Sequence, residues 1–299
     1  YILLPSLYLL TYGALKLFKI KTPFDRRNVL IQKDFEFGII ITAHQDTRFI
    51  PPLIDSILRQ SHINYYVYVV ADDCNTEDLS ISDSRIKILK PAVPLNSKIK
   101  SIHYAIDRFT KKHDSIIILD ADNLIHPAFL SVINSYLQKG YKVVQSDFKP
   151  KNTETHYERM DAIGDMYNFF LEREMRTYLG LSAAIWGSGV AIDYVLYTEV
   201  EYRDFLGGFD KKLQAHIMLS GTKVAFAPAA ILFDEKITSG QSLEKQRTRW
   251  MSAYFKYFGE SLRMLLTGIK KGSLDILYSG FITLRPPLVM LLLSALLIT

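Results

Sequence analysis

Cysteine is almost absent. Cys74 stands alone in 299 residues, which excludes a disulfide framework within the chain and fits a reducing compartment. Internal repeats, low-complexity tracts and Gly/Ser linkers are missing as well, so nothing argues for a tandem array or tethered domains. No apolar run reaches the roughly 20 residues a helix needs to cross a bilayer. The first, YILLPSLYLLTYGAL, has 15 residues, and the last is PPLVMLLLSALLIT. A large charge of one sign is lacking too. The net charge is +5, and no basic stripe with interleaved aromatics accompanies it, which argues against a nucleic-acid partner.

The charge that is present lies beside the apolar ends. Lys16, Lys19, Lys21, Arg26 and Arg27 follow the first apolar stretch, and Arg263, Lys270 and Lys271 precede the last. Basic residues next to apolar segments read as cytoplasmic flanks of membrane spans. Residues 1–20 and 285–299 are therefore expected to be parts of N- and C-terminal transmembrane helices, with a lipid bilayer as partner and the cell membrane as location. A signal-peptide remnant is the alternative for the first, though no small-residue cleavage site follows it. Between residues 263 and 284, SLRMLLTGIKKGSLDILYSGFITL mixes basic and apolar residues as interfacial helices do. Residues 22–262 then form one cytosolic domain, long enough to bury a sizeable core.

Within it, FGIIIT (37–42), YYVYVVA (65–71), RIKIL (85–89), SIIIL (115–119) and YKVVQ (141–145) are short apolar, β-rich runs that read as strands. Segments with helical spacing separate them: FIPPLIDSILRQ, SKIKSIHYAIDRFTKK and 128–138. The order is that of an α/β fold with a mostly parallel sheet and helices on both faces. Helices are also expected over 155–179, 210–220 and 241–259, and a strand at KVAFA. Ligands of such sheets bind beyond the C-terminal strand ends, where strand order reverses. That rule gathers TAHQD, DDCNTED and DADN into one crevice.

Asp120 and Asp122 stand one residue apart at the end of an apolar strand. Two close carboxylates repel, and a hard cation such as Mg2+ or Mn2+, shared with substrate phosphates, would relieve them. An exposed acidic turn is the plainer alternative. Asp72 and Asp73 suit either a turn or acceptance of hydrogen bonds from a nucleoside. In QRTRW, Gln246, Arg249 and Trp250 share one helical face, which fits a pyrophosphate and a sugar ring or equally an interfacial tryptophan with a snorkelling arginine.

Together these residues resemble the membrane-embedded inverting glycosyltransferases of family 2, of the cellulose, chitin and hyaluronan synthase type. GIIITAHQD, VVADDCNTED, SKIKSIHYAI, LDADN, WGSGVAI, GGFDKKLQAHIMLSGTKVAFAP and QRTRW follow in the family's order. The resemblance implies a GT-A fold and a UDP-sugar donor held by Thr42, Ala43, His44, Asp72, Asp73, Lys98, Asp120, Gln246 and Arg249. It implies a metal on Asp120 and Asp122, an acceptor near Ser188, Gly189 and Trp250, and Asp210 as the general base. The acceptor would be a growing polysaccharide, or a lipid-linked sugar if the enzyme is not processive. Two positions depart from the pattern. Phe209 stands where an acidic residue commonly precedes the base, and Cys74 where glycine is common in the Asp-Asp turn. The first departure keeps open a catalytically silent nucleotide-sugar-binding subunit.

Overall fold

The computed structural model describes residues 3–20, 31–77, 79, 81–202 and 207–284, with only the backbone for 3–6. Helix α1 (Leu3–Leu17) precedes strand β1 (Phe37–His44), α2 (Ile50–Leu58), β2 (Tyr65–Asp72), β3 (Ile86–Leu89), α3 (Lys98–Ile106) and β4 (Ser115–Asp120). Next come β5 (Leu124–Ile125), α4 (Phe129–Gln138), β6 (Val143–Pro150) and α5 (His156–Phe169). A π-helical turn (Phe170–Glu174) carries α5 into α6 (Met175–Tyr178). The chain continues through β7 (Val190–Asp193), α7 (Tyr194–Thr198), α8 (Phe209–Leu219) and β8 (Val224–Asp234). It closes with α9 (Gly240–Lys256), α10 (Phe258–Lys271) and α11 (Leu274–Thr283).

One sheet runs β3-β2-β1-β4-β7-β6-β8-β5. The apolar runs of β1, β2 and β4 are buried throughout their centres, as expected of parallel strands covered on both faces. The parallel half matches the expectation. The other half does not, because β7 is antiparallel to both β4 and β6. Its four residues, VAID, follow a Gly-Ser-Gly turn too closely to stand out as a strand. The short β5, antiparallel to β8, carries only two residues of signal.

The register places the crevice. β1 pairs with β2 on one side and β4 on the other, setting His44 opposite Asp72 and Thr42 opposite Asp120. The three polar clusters thus end side by side where strand order reverses, the position the sheet rule requires.

Among the described residues no helix is long and apolar enough to cross a membrane. Helix α1, which carries the first apolar stretch, has 15 residues. It lies against the protein: Tyr12 meets Phe170 and Tyr178 edge-on, and Tyr8 meets Tyr278 of α11. The expected C-terminal span, 285–299, lies outside the described residues. The segment expected at the interface forms the α10–α11 hairpin, in which a Cβ on Gly268 would stand 2.4 Å from the Leu277 backbone nitrogen.

Gly189 shows why the site tolerates no side chain at the β4–β7 junction. Its φ is +60°, and an added Cβ would lie 2.3 Å from Ser146 Oγ and 2.7 Å from Phe148 Cε1. Gly140 has a similar φ of +81° with nothing within 4 Å. Gly140→Ala should therefore cost about 1 kcal/mol of backbone strain, and Gly189→Ala about 2–4 kcal/mol once the overlap is added. Urea unfolding of the two variants checks this; equal losses would rule out the overlap.

Candidate active site

Asn123 organises the turn after β4. It is fully buried. Its Oδ1 accepts from the Asp120 backbone N–H at 2.9 Å and from Ser188 Oγ at 2.5 Å. Its Nδ2 donates to Asp122 Oδ1 at 3.2 Å and to Asp234 Oδ1 at 3.0 Å. Ser188 Oγ also accepts from the Asp120 N–H at 3.1 Å. One asparagine thus aims the Asp122 and Asp234 carboxylates, holds the Asp120 backbone, and ties the turn to Ser188 before β7 and to the end of β8. Both hydrogen bonds of the buried Ser188 hydroxyl run to this turn, so Ser188 helps hold Asp120. Gly189, next to it, lets Ser146 and Phe148 approach closer than any Cβ would allow.

The carboxylates crowd one another as their spacing suggested. Burial, then the charges of Asp120 and Asp234, push Asp122 up to about 7, against the opposing pull of Lys98 and Lys151. Lys98 Nζ forms an ion pair with Asp120 Oδ1, and Thr42 Oγ1 lies 3.5 Å from the same oxygen. Lys151 Nζ bridges the Asp122 carbonyl and Glu235 Oε2, each at 2.9 Å. Among the described residues no three His, Cys, Asp or Glu side chains are gathered closely enough to hold a metal by themselves. Two hard oxygen donors with unrelieved repulsion nevertheless suit a divalent cation whose other ligands are water and substrate phosphate.

Asp72 is also put to structural use. Its carboxylate is buried and accepts from the backbone N–H groups of Leu95 at 2.6 Å and Asn96 at 2.9 Å, with His44 Nδ1 at 3.1 Å. That clamp fixes the loop into α3, where Ser97 caps the helix and Lys98 is the first residue. Asp72 therefore positions Lys98, which pairs with Asp120. Asp73 is the exposed member of the pair, with φ +52° and Oδ2 accepting from Gln45 Nε2 at 2.9 Å. His44 is exposed beside it; Ala43 is buried, leaving only its backbone for a ligand.

Helix α8 closes the crevice. Gly208, at φ +85°, starts it, and a Cβ there would lie 2.7 Å from Ala253 Cβ of α9. Phe209 fills the place of the missing acid. Lys98 Nζ stands 5.6 Å over its ring, and a Cβ on Gly187 would lie 3.4 Å from it. Asp210 follows in the first helical turn, half-buried. On α9, Arg249 lies against Gly207, while the Trp250 ring carries the guanidinium of Arg247 at 4.4 Å. Gln246 Oε1 is buried with no partner among the described residues. The QRTRW segment thus meets the site through the start of α8. Beyond it, Arg249 opens on a cavity of about 450 Å3 lined by Gln241, Glu244, Lys245, Thr248 and Ser252.

Four residues escaped the sequence reading. Asp234 and Lys236 follow β8, and Lys236 Nζ joins Asp234 Oδ2 at 2.9 Å to Asp165 Oδ2 at 2.5 Å. Asp234 had a signal, an acid at the end of an apolar strand as in the Asp120 turn; Lys236 had none. Asp165 had none, being one charge in a helix with no outward apolar-polar logic. Arg173 lies in the π-helical turn, a feature often found at functional sites. It is 4% exposed and stacks 4.2 Å from Phe169 and 4.6 Å from Trp186. Burial pushes it down to about 10, so it stays charged, in the electrostatic field of Asp165 and Asp210.

A family model described as glycosyltransferase like family 2 matches residues 35–253. The chain is 28% identical over 108 residues to an uncharacterized glycosyltransferase of Haemophilus influenzae, a match covering 34% of this chain and 32% of that protein, about a third of its length. Among solved structures it is similar to the mannosyltransferase PcManGT from Pyrobaculum calidifontis in complex with GDP-Man and Mn2+. That TM-score is 0.63, at 14% identity, over 97% of this chain and 87% of the other. It is also similar to S. aureus TarS 1-349 in complex with UDP-GlcNAc, with a TM-score of 0.54, 13% identity, and 77% and 66% covered. At these identities the likeness is one of fold, a GT-A-like mixed α/β sheet. The matched span covers most of the sheet and every element of the crevice, so the chain belongs to glycosyltransferase-like family 2.

Proposed function

We propose that the chain is an inverting glycosyltransferase that moves a sugar from a UDP-sugar to an acceptor hydroxyl, with Mg2+ or Mn2+ on Asp120 and Asp122. The observation that carries this is the register of β1 between β2 and β4, which brings Thr42, His44, Asp72, Asp120 and Lys98 to one crevice in a family 2 domain. The complexes of its fold relatives with GDP-Man and Mn2+ and with UDP-GlcNAc support the same chemistry.

His44, Asp73 and the Thr42–Ala43 backbone hold the nucleoside, and Lys98 and Arg249 hold the diphosphate. A cation bound to the Asp120 and Asp122 oxygens supplies Lewis-acid stabilisation of that leaving group. Lys98, positioned by Asp72, neutralises the negative charge that grows as the C1–O bond breaks, the usual place for large electrostatic catalysis. The acceptor oxygen attacks the opposite face of C1, its proton passes to the Asp210 carboxylate, and the bonding electrons leave with UDP. Arg173 lends Asp210 a positive field, and Trp250 offers the acceptor a ring face.

The acceptor in this reading is a growing polysaccharide, and a single lipid-linked sugar is the alternative. Sizing the product separates them. The domain sits on the cytoplasmic face of the cell membrane. Supporting this, Phe258, Leu262, Leu266 and Ile269 of α10 are all exposed, with Arg263, Lys270 and Lys271 beside them, the pattern of an interfacial helix.

Asp210→Asn should lower transfer by about 100- to 10,000-fold while UDP affinity stays near wild type, read by UDP release and by calorimetry. Equal loss of both would remove Asp210 from the base role and favour the silent subunit that Phe209 suggests. Asp120→Ala and Asp122→Ala should each abolish metal-dependent UDP binding; binding that still responds to Mn2+ would refute the metal site.

The raised Asp122 makes a prediction about stability. Its folded value of about 7 exceeds the ordinary carboxylate value of about 3.9. Between those pH values the folded chain keeps a proton that the unfolded chain has released, so stability falls as pH rises. Asp165 and Asp234, also raised by burial, act in the same direction. Without divalent metal, the unfolding midpoint should drop from pH 5 to pH 7.5, and Asp122→Asn should flatten that drop. An identical slope in the variant would contradict it.

A further inference from the structure

Helix α5 is built inside out. Its carboxylates, Glu158, Asp161 and Asp165, are all buried, together with Ala162 and Phe169. Its outward face carries Tyr157 at 41%, Met160 at 50%, Ile163 at 66%, Met166 at 60% and Tyr167 at 59% exposure. These positions recur at helical spacing and form one stripe. A contiguous exposed stripe of this kind marks a surface that something covers.

We propose that this face seats in the headgroup and acyl boundary of an anionic lipid bilayer; the inference rests on the membrane part of the function proposed above. Three observations select lipid over a protein partner. The only ionic side chain among the exposed residues of α5 other than His156 is Arg159, so the face is apolar with a basic edge and suits anionic headgroups. Tyr157 and Tyr167 stand at its two ends, an amphipathic residue type favoured at the bilayer–water interface.

The helix is also joined to an element with further exposed apolar residues. Through Phe170 of the π-helical turn, which meets Tyr12, α5 is linked to α1, where Leu7, Leu10 and Leu17 are exposed, as is Phe18 just beyond it. Arg176 Nη2, at 2.7 Å from Ser279 Oγ, ties the next turn to α11, which the uncharged run PPLVMLLLSALLIT follows in sequence after Arg285. On its inner side α5 holds Lys236 through Asp165. The helix that meets lipid is therefore the one that buttresses Asp234 and, through Asn123, the Asp120–Asp122 turn.

The single buried cysteine makes a direct test possible. In a Cys74→Ser background of the full chain, Ile163→Cys on α5, Leu266→Cys on α10 and Lys87→Cys on β3 are each labelled with the environment-sensitive fluorophore NBD. Vesicles of phosphatidylcholine mixed with phosphatidylglycerol are then added. The expected result is a blue shift and a several-fold rise in emission at 163 and 266, quenched by lipids brominated in the acyl chain, with no change at 87. A response at 266 without one at 163 overturns the α5 assignment and leaves the membrane reading standing. No response at either site overturns both. A change at 163 that follows protein concentration without vesicles identifies a second copy of this chain as the occupant and also overturns the proposal. Ile163→Glu with Met166→Glu, unlabelled, should reduce vesicle co-sedimentation; undiminished binding counts against α5.

Discussion

Electrostatic repulsion among carboxylates at the end of β4 is the constraint around which the site is arranged. Asp120, Asp122 and Asp234 converge at the same corner, and burial makes their charges expensive. The chain manages this in two ways. It surrounds them with ammonium groups, Lys98, Lys151 and Lys236, and it spends one buried amide, Asn123, to fix the directions of the oxygens. What remains is visible as the raised Asp122. Burial contributes most to that rise, and the charges of Asp120 and Asp234 add to it.

The same logic explains why residues that look like ligand contacts are engaged by the protein. Asp72 clamps the loop before α3, Ser188 steadies Asp120, and Gly189 permits Ser146 and Phe148 to close on the strand junction. Each lies one step behind the crevice surface, and each fixes a group that lies on it. Rigid placement of the reacting groups is worth much of a catalytic barrier. A residue can therefore serve a site by holding its neighbours, whatever else it touches.

This bears on what could be read from the residues. The parallel strands, their intervening helices and the meeting of TAHQD, DDCNTED and DADN were legible, because buried parallel strands are short apolar runs and the crevice follows from strand order. The antiparallel β7 was not, since four residues after a glycine turn carry no period. Asp165, Arg173 and Lys236 were hidden for another reason. A charge that is buried and paired across 71 residues, as Lys236 with Asp165, looks in sequence like any surface charge. The membrane flanks were read from apolar stretches with basic residues beside them, a pattern that says nothing of what else the helix touches; the contacts of Tyr8 and Tyr12 with Tyr278, Phe170 and Tyr178 had no signal in it.

Helices α5 and α10 show where apolar content does carry information. Both turn apolar residues outward, but their inner faces differ. Helix α10 buries Ser261, Met264 and Gly268, small or flexible groups that let α11 approach, and its outward face is free to vary without touching the crevice. Helix α5 buries three carboxylates, one of which holds Lys236 and so Asp234. Exposing apolar area on α5 is unfavourable in water by about 25 cal/mol per Å2, yet the helix cannot be reversed without placing those acids in solvent and leaving Lys236 unmatched. The demands of the Asp120–Asp122 turn thus fix which side of α5 faces in, and by exclusion which side faces out.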